Sequence, residues 1–346
     1  MVNERIKAAR KMAGLSLEEL AAKMGDITRQ ALNNYEMGKR KPDSNVIIKL
    51  ARAIGVKPDY FSREYKVLSG NFEYRKSSKL NKKQMASIEE KTKDHLERYL
   101  ELEAIMGMKS QFVNPLDKNE VKNEEGAENK ARMVREKWEL GNEPIKNLIE
   151  TLEGKNIRVF EIVAGDKFDG LALHFDGIPV IVVNKNKYDA VRKRLTVAHE
   201  LGHLLLKISK NISDRDKERI CYRFAAALLI PSEVMFEELG KSRTSIMLNE
   251  LEHLKKEYGI SIQALMRRAR DLGIITSRKY QAFCMRIKKE GWQKFEGEEY
   301  EGEDKPIKEK NLLYRAISEE IISISKAASL ANVAVAELEE EIEPIV

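Results

Sequence analysis

The feature that most constrains this chain is the run Arg194-Leu-Thr-Val-Ala-His199-Glu200-Leu-Gly-His203-Leu-Leu-Leu. Histidines four residues apart share one face of a helix, so both imidazoles can reach a single Zn²⁺ at about 2.0–2.1 Å. Glu200 leans to the same side, where it can take a proton from water at such an ion without ligating it. A second element must face this helix, because an open zinc site uses three protein ligands and leaves one position free. The alternative is a helix with two hydrogen-bonded core histidines and a surface glutamate. It is disfavoured because Val197, Ala198, Leu201, Leu204 and Leu205 already supply a core face.

The next helix offers Glu218 as third ligand, ahead of Phe224-Ala-Ala-Ala-Leu-Leu. Two antiparallel helices joined over that length can set Glu218 beside the histidine pair. Asp214 and Asp216 compete as carboxylates, and His174 and His253 as imidazoles, although a lone histidine in a strand or amphipathic helix is more often structural. Upstream, β-branched runs at 157–163, 170–175 and 178–183 are separated by Gly-Asp, Asp-Gly and Lys-Asn turns and predict a small, mostly antiparallel sheet. Helices are expected at 82–106, about 126–139, 145–152, 188–207, 216–229, 245–258 and 261–272. Residues 293–310 read as an irregular loop, followed by helices at 311–324 and 326–330.

The first 63 residues differ in kind. They predict five short helices, at 4–13, 17–24, 29–37, 45–54 and 57–61. Ser16 with Glu19 forms a capping box, Thr28 is an N-cap, and Gly14, Gly25, Gly38 and Gly55 mark the stops. They hold 13 Lys+Arg against 7 Asp+Glu, while the remainder holds 49 of each, so the net +6 of the chain sits on this segment. A localised positive excess suits a polyanion partner. Two short helices with a tight turn place the second in the DNA major groove. That second helix offers Arg29, Gln30, Asn33 and Asn34 for base edges, with Thr28 at its start. Lys39, Arg40 and Lys41 suit phosphates.

Two resemblances sharpen this reading. Ser16-Leu-Glu-Glu-Leu-Ala, Ile27-Thr-Arg-Gln-Ala-Leu, Tyr35-Glu-Met-Gly38-Lys-Arg-Lys-Pro42 and Leu50-Ala-Arg-Ala-Ile-Gly55-Val resemble the Xre helix-turn-helix family. Leu17 stands where that family often has glutamine, and Asp26 lengthens the turn. Thr196-Val-Ala-His-Glu-Leu-Gly-His-Leu-Leu-Leu, followed by Glu218-x-x-Cys-Tyr-x-Phe-Ala-Ala-x-Leu-Leu-x-Pro231, resembles the ImmA/IrrE metallo-endopeptidases. Trp138-Glu-Leu-Gly, Pro144-Ile, Phe168-Asp-Gly, Pro179-Val-Ile-Val-Val-Asn and Tyr258-Gly-Ile-Ser extend the likeness over roughly 80–290. It implies His199, His203 and Glu218 as zinc ligands and Glu200 as general base. Cys221-Tyr222 departs from the usual Ala-Asn; Cys221 reads as a small packed residue rather than a thiolate ligand.

The expected organisation is multidomain. An all-α helix-turn-helix domain (1–63) and a linker (64–81) precede an α+β zincin-like metallopeptidase domain (82–290), with a loop and helical region at 291–346. The start lacks a secretory segment, no apolar run approaches the ~20 residues of a membrane helix, and Cys221 and Cys284 form no disulfide framework. A cytoplasmic regulator without a membrane partner follows. Its partners would be a double-stranded DNA operator and a repressor or toxin-like protein, and a homodimer is expected on two half-sites. The competing expectation is a non-proteolytic repressor or antitoxin-like protein of a prophage or toxin–antitoxin module, its zinc domain a sensor or docking surface.

Overall fold

The computed structural model describes residues 2–63, 73–74, 80–108, 111–175, 177–186, 189–291 and 299–342. Most of the expected 64–81 linker, the Tyr188 start of the metal helix and residues 293–298 of the expected loop lie outside these. The chain divides into two compact units. One comprises 1–70, 77–109 and 309–346; the other comprises 71–76 and 110–308. Among the described residues no helix is long and apolar enough to cross a membrane.

In the first unit, α1 (Val2–Met12), α2 (Leu17–Met24), α3 (Arg29–Glu36) and α4 (Ser44–Ile54) precede a 3₁₀ turn, Pro58–Phe61. Ile6, Ala9, Leu20, Leu32, Leu50 and Phe61 form their shared core. The caps are local: as expected, the Ser16/Glu19 box opens α2 and Thr28 opens α3, and Asp43 caps α4. Gly25 closes α2 at φ 79°, a conformation that costs glycine nothing and most residues a good deal. Arg10 grips Glu36 through two hydrogen bonds of 2.6 and 2.8 Å, locking α1 to α3.

The long helix α5 (Lys82–Ile105) belongs to this unit, not to the domain it was expected to open. Its charged positions explain why. Glu97 meets Arg5 of α1 at 2.8 Å, Asp94 meets Arg63 at 3.3 Å, and Ser87 donates to the Met12 carbonyl at 2.6 Å. The C-terminal helices α14 (Lys308–Ser318), α15 (Ile324–Ala331) and α16 (Val335–Glu341) join it too. His95 of α5 lies 2.6 Å from Glu309, Lys57 donates to the Ala328 carbonyl at 3.1 Å, and Ser329 bonds Asp59 at 2.9 Å.

The second unit is built on a four-stranded sheet in the order β1 (Glu73–Tyr74), β3 (Gly170–Phe175), β4 (Ile178–Asn184), β2 (Arg158–Ile162). β1–β3 and β3–β4 are antiparallel and β2–β4 is parallel, in register Arg158↔Val180 through Ile162↔Asn184. β4 is buried from Pro179 to Asn184, as its unbroken apolar run requires. Helices α6 (Glu124–Lys137), α7 (Leu148–Gly154), α8 (Ala190–Leu205) and α9 (Asp214–Leu229) build its core with α10 (Ser232–Leu239), α11 (Leu248–Tyr258) and α12 (Ile262–Asp271). α13 (Ser277–Glu290) follows. α10 and α13 were not expected from the sequence.

Residues 299–307, expected as irregular, are irregular but anchored, whereas 308–310, expected in the same loop, form the first turn of α14. Asp304 is buried, pairs with the fully buried Arg194 of α8 at 2.7 Å and accepts from the Leu148 and Ile149 amides at the start of α7. Arg194 also donates to the carbonyls of Tyr258 and Ile145. The metal-motif helix is therefore tied to three neighbouring segments one turn before His199.

Candidate functional site

α8 carries His199 and His203 one turn apart, and α9 runs alongside it, the contact made close by Gly202. A methyl at Gly202 would meet Phe224 Cδ1 at 3.2 Å and Cys221 Cα at 3.4 Å. That close approach brings Glu218 opposite the pair. His199 Nε2 lies 3.1 Å from one Glu218 oxygen, His203 Nε2 lies 3.3 Å from the other, and the two Nε2 atoms are 3.2 Å apart. A four-coordinate ion with bonds of about 2.0–2.1 Å holds its ligand atoms about 3.3–3.4 Å apart. The three side chains fit that chord.

Among the described residues these three form the one His/Cys/Asp/Glu cluster with metal-ligand spacing. The competing residues are occupied elsewhere. Asp214 pairs with Lys217 at 2.9 Å, Asp216 bonds Ser213 and Arg219, and the exposed His253 faces Glu257 at 3.4 Å. His174 sits in β3, paired with Glu73 across the sheet.

Glu200 points toward β3. Its carboxylate accepts from the Ala172 amide, and a methyl on Gly170 would fall 3.2 Å from its Cγ and 2.7 Å from Thr196 Cγ2. Gly170 thus leaves the space that Glu200 and Thr196 occupy. Burial pushes the Glu200 carboxyl up, against the lowering pull of His199 and His203. Glu218 is held far below the usual carboxylate range by hydrogen bonds from His199 and His203, which outweigh its burial. Burial opposes a charge on His203, but Cys221 and Glu218 more than offset it and lift the imidazole to about 10.

The outer nitrogens of the two histidines are treated differently. His203 Nδ1 has the Cys221 sulfur at 3.4 Å, so this fully buried cysteine does more than pack. His199 Nδ1 is buried without a hydrogen-bond partner. Its ring is instead held by Tyr222, whose ring centroid lies 4.0 Å away at 36°. Tyr222 is 40% exposed, and burial together with Glu218, Asp169 and Glu200 pushes its phenol up. Neither role is visible in spacing; the Cys-Tyr departure from the usual Ala-Asn was its one outward sign.

In the first unit, Thr28, Arg29, Gln30, Lys39, Arg40 and Lys41 are exposed, and Asn33 and Asn34 are half-buried. The Thr28 hydroxyl is engaged in capping α3. Arg29 lies 2.6 Å from the exposed Glu18, and the Arg40 guanidinium sits over the Tyr35 ring.

Comparison with known proteins agrees with this division. The helix-turn-helix family model matches residues 6–61, and the Peptidase M78 model, described as an IrrE N-terminal-like domain, matches 152–270. Two Bacillus subtilis (strain 168) proteins match over 60 residues, 17% of this chain. The SPbeta prophage-derived HTH-type transcriptional regulator YonR is 40% identical over 55% of its length, and the HTH-type transcriptional regulator YqaE is 38% identical over 51%. The chain spans about half the length of these relatives. The family of the second domain is usually metal-dependent, in keeping with the His/Glu cluster on α8 and α9. The chain accordingly joins an Xre-type helix-turn-helix DNA-binding domain to a domain of the IrrE-like metallopeptidase family.

Proposed function

We propose that this chain is a transcriptional regulator whose second domain is a zinc-dependent endopeptidase that cuts a repressor, a partner protein or the chain itself. The observation that carries the reading is the convergence of His199, His203 and Glu218 at ligand spacing with Glu200 beside them. His199, His203 and Glu218 would hold the metal, which when bound supplies Lewis acidity for peptide hydrolysis. Glu200 acts as general base on the attacking water and returns the proton to the leaving amine. The upward push that burial gives its carboxyl moves it toward the working pH of a proton carrier.

In the first domain, α3 is the recognition helix. Arg29, Gln30, Asn33 and Asn34 meet base edges, while Thr28, Lys39, Arg40 and Lys41 meet the backbone. Two copies on two half-sites complete the arrangement.

Glu200→Gln preserves shape and ligands, so it is expected to retain one zinc per chain yet lose cleavage by about 10²–10⁴-fold. Terminal proteomics of cells carrying the native chain against the variant should reveal one new protein terminus in the native cells alone. A Gln variant that cuts the true substrate as fast as the native chain removes Glu200 from the mechanism.

The second reading is a non-proteolytic repressor or antitoxin-like protein, favoured by the match to HTH-type transcriptional regulators, one of them prophage-derived. Operator repression indifferent to Glu200→Gln, with no protein cut in cells, selects it.

A further inference from the structure

We propose that Arg267, seated on Tyr222, forms a carboxylate-recognition subsite next to the metal centre, selecting peptides with an acidic side chain adjoining the bond to be cut; this rests on the endopeptidase reading above. Tyr222 bridges the two: its ring lies against His199, tilted by 36° with 4.0 Å between centroids, and the Arg267 guanidinium lies over the same ring at 5.6 Å. Arg267 comes from α12 and Tyr222 from α9, so the pair is made by tertiary packing.

The charge around Arg267 is unbalanced. Glu128 is shared by Arg223 at 2.5 Å and Arg268 at 2.7 and 3.1 Å. Asp271 is shared by Arg270 at 2.8 Å, Arg223 at 3.7 Å and Arg267 at 3.9 Å. Four guanidinium groups thus divide two carboxylates. Arg268 is fully buried and bidentate on Glu128, and Arg223 is nearly buried. Arg270 is claimed by Asp271 and by the Tyr280 ring at 4.6 Å. Arg267 has the longest ion-pair distance of the group and the greatest exposure, with 37% of its side chain accessible.

The acidic groups near Tyr222 do not satisfy it. Asp169 is paired with Arg192 at 2.9 Å, Glu218 spans the two imidazoles, and Glu200 faces the Ala172 amide. An under-paired, half-exposed guanidinium on an aromatic platform is suited to a carboxylate, which it can meet with two parallel hydrogen bonds.

The test uses the zinc-loaded full-length protein and two isosteric pairs of metal-directed probes. N-acetyl-glutamyl against N-acetyl-glutaminyl hydroxamate sets the carboxylate on one side of the metal. Hydroxamoyl-acetyl-glutamate amide against its glutamine counterpart sets it on the other. Titration calorimetry is expected to show the acidic member of one pair binding roughly tenfold tighter, the size of one charge-assisted contact. Arg267→Gln brings the acidic member down to the neutral one, and Arg267→Lys keeps part of the difference. Tyr222→Phe retains the preference and Tyr222→Leu loses it, because the ring and not the hydroxyl places Arg267. Zinc content and circular dichroism are followed in each variant. Equal binding within both pairs, or a preference that survives Arg267→Gln, overturns the subsite while leaving the endopeptidase reading intact. Failure of all four hydroxamates to bind protein that carries one zinc overturns both.

Discussion

Gly170→Ala tests how the sheet makes room for the Glu200 side chain. The added methyl falls 2.7 Å from Thr196 Cγ2, 3.2 Å from Glu200 Cγ and 3.2 Å from the Val182 carbonyl oxygen. Carbon atoms in contact prefer about 3.5–4.0 Å, so the overlap with Thr196 approaches 1 Å. Thr196 cannot simply turn away, because its hydroxyl is bonded to the Arg192 carbonyl at 2.9 Å and a β-branched side chain in a helix has few rotamers. The Val182 oxygen belongs to the β4 backbone and is no freer. Overpacking of this kind costs about 1–3 kcal/mol. For a unit of this size each kcal/mol lowers the melting temperature by about 2–4 °C, so a fall of roughly 2–12 °C is expected. Calorimetric or fluorimetric melting of the zinc-loaded protein measures it. Thr196→Ala deletes the closest atom, so Gly170→Ala/Thr196→Ala should recover at least half of the loss, with coupling of the size contacting residues show. A neutral Gly170→Ala, or no rescue in the double variant, refutes the argument that Thr196 and Glu200 fill the space glycine leaves.

Asp304→Ala leaves the fully buried Arg194 without its carboxylate and frees two α7 amides, so a loss of about 3–5 kcal/mol is expected in urea melts of the second unit. Hydrogen bonds from Arg268 and Arg223 overcome burial and hold Glu128 below its ordinary value. A depressed folded-state pKa means this stabilisation is complete above the unfolded value near 4.3 and is lost as pH falls through the folded one. Stability curves of a Glu128→Gln variant should therefore drop least relative to the native chain at the acid end, and a parallel offset at every pH would contradict the linkage. On operator DNA, Arg29→Ala or Gln30→Ala is expected to cost ~1–3 kcal/mol at the cognate site. Lys41→Ala should weaken all sequences alike and reduce the salt slope by about one, as measured by fluorescence anisotropy across salt concentrations.

Much of the architecture was legible in the residues. The capping box at Ser16/Glu19, the Thr28 cap and the glycine stops are decided by atoms a few residues apart, and they appear where local chemistry puts them. The same holds for the histidine pair, since one helical turn is a property of a single segment. Glu218 stood among several candidates, because spacing restricts a connection but does not aim a side chain. The 82–106 segment was read with the wrong neighbours: its helix is evident from the sequence, but a charged helix does not announce that Glu97 seeks Arg5 and Asp94 seeks Arg63.

The sequence by itself determined the two chemistries on offer, a basic helix-turn-helix and an i, i+4 histidine pair with its glutamate, because each lies within one or two adjacent helices. Tertiary structure chose Glu218 over the competing carboxylates as the one set beside both imidazoles, and it alone decided that Cys221 backs His203, that Tyr222 lies on His199 with Arg267 above it, and that Asp304 anchors Arg194. Those pairings join segments up to 110 residues apart, and their partners are chosen by burial. A charge taken out of water must find its opposite wherever the packed chain brings one within reach.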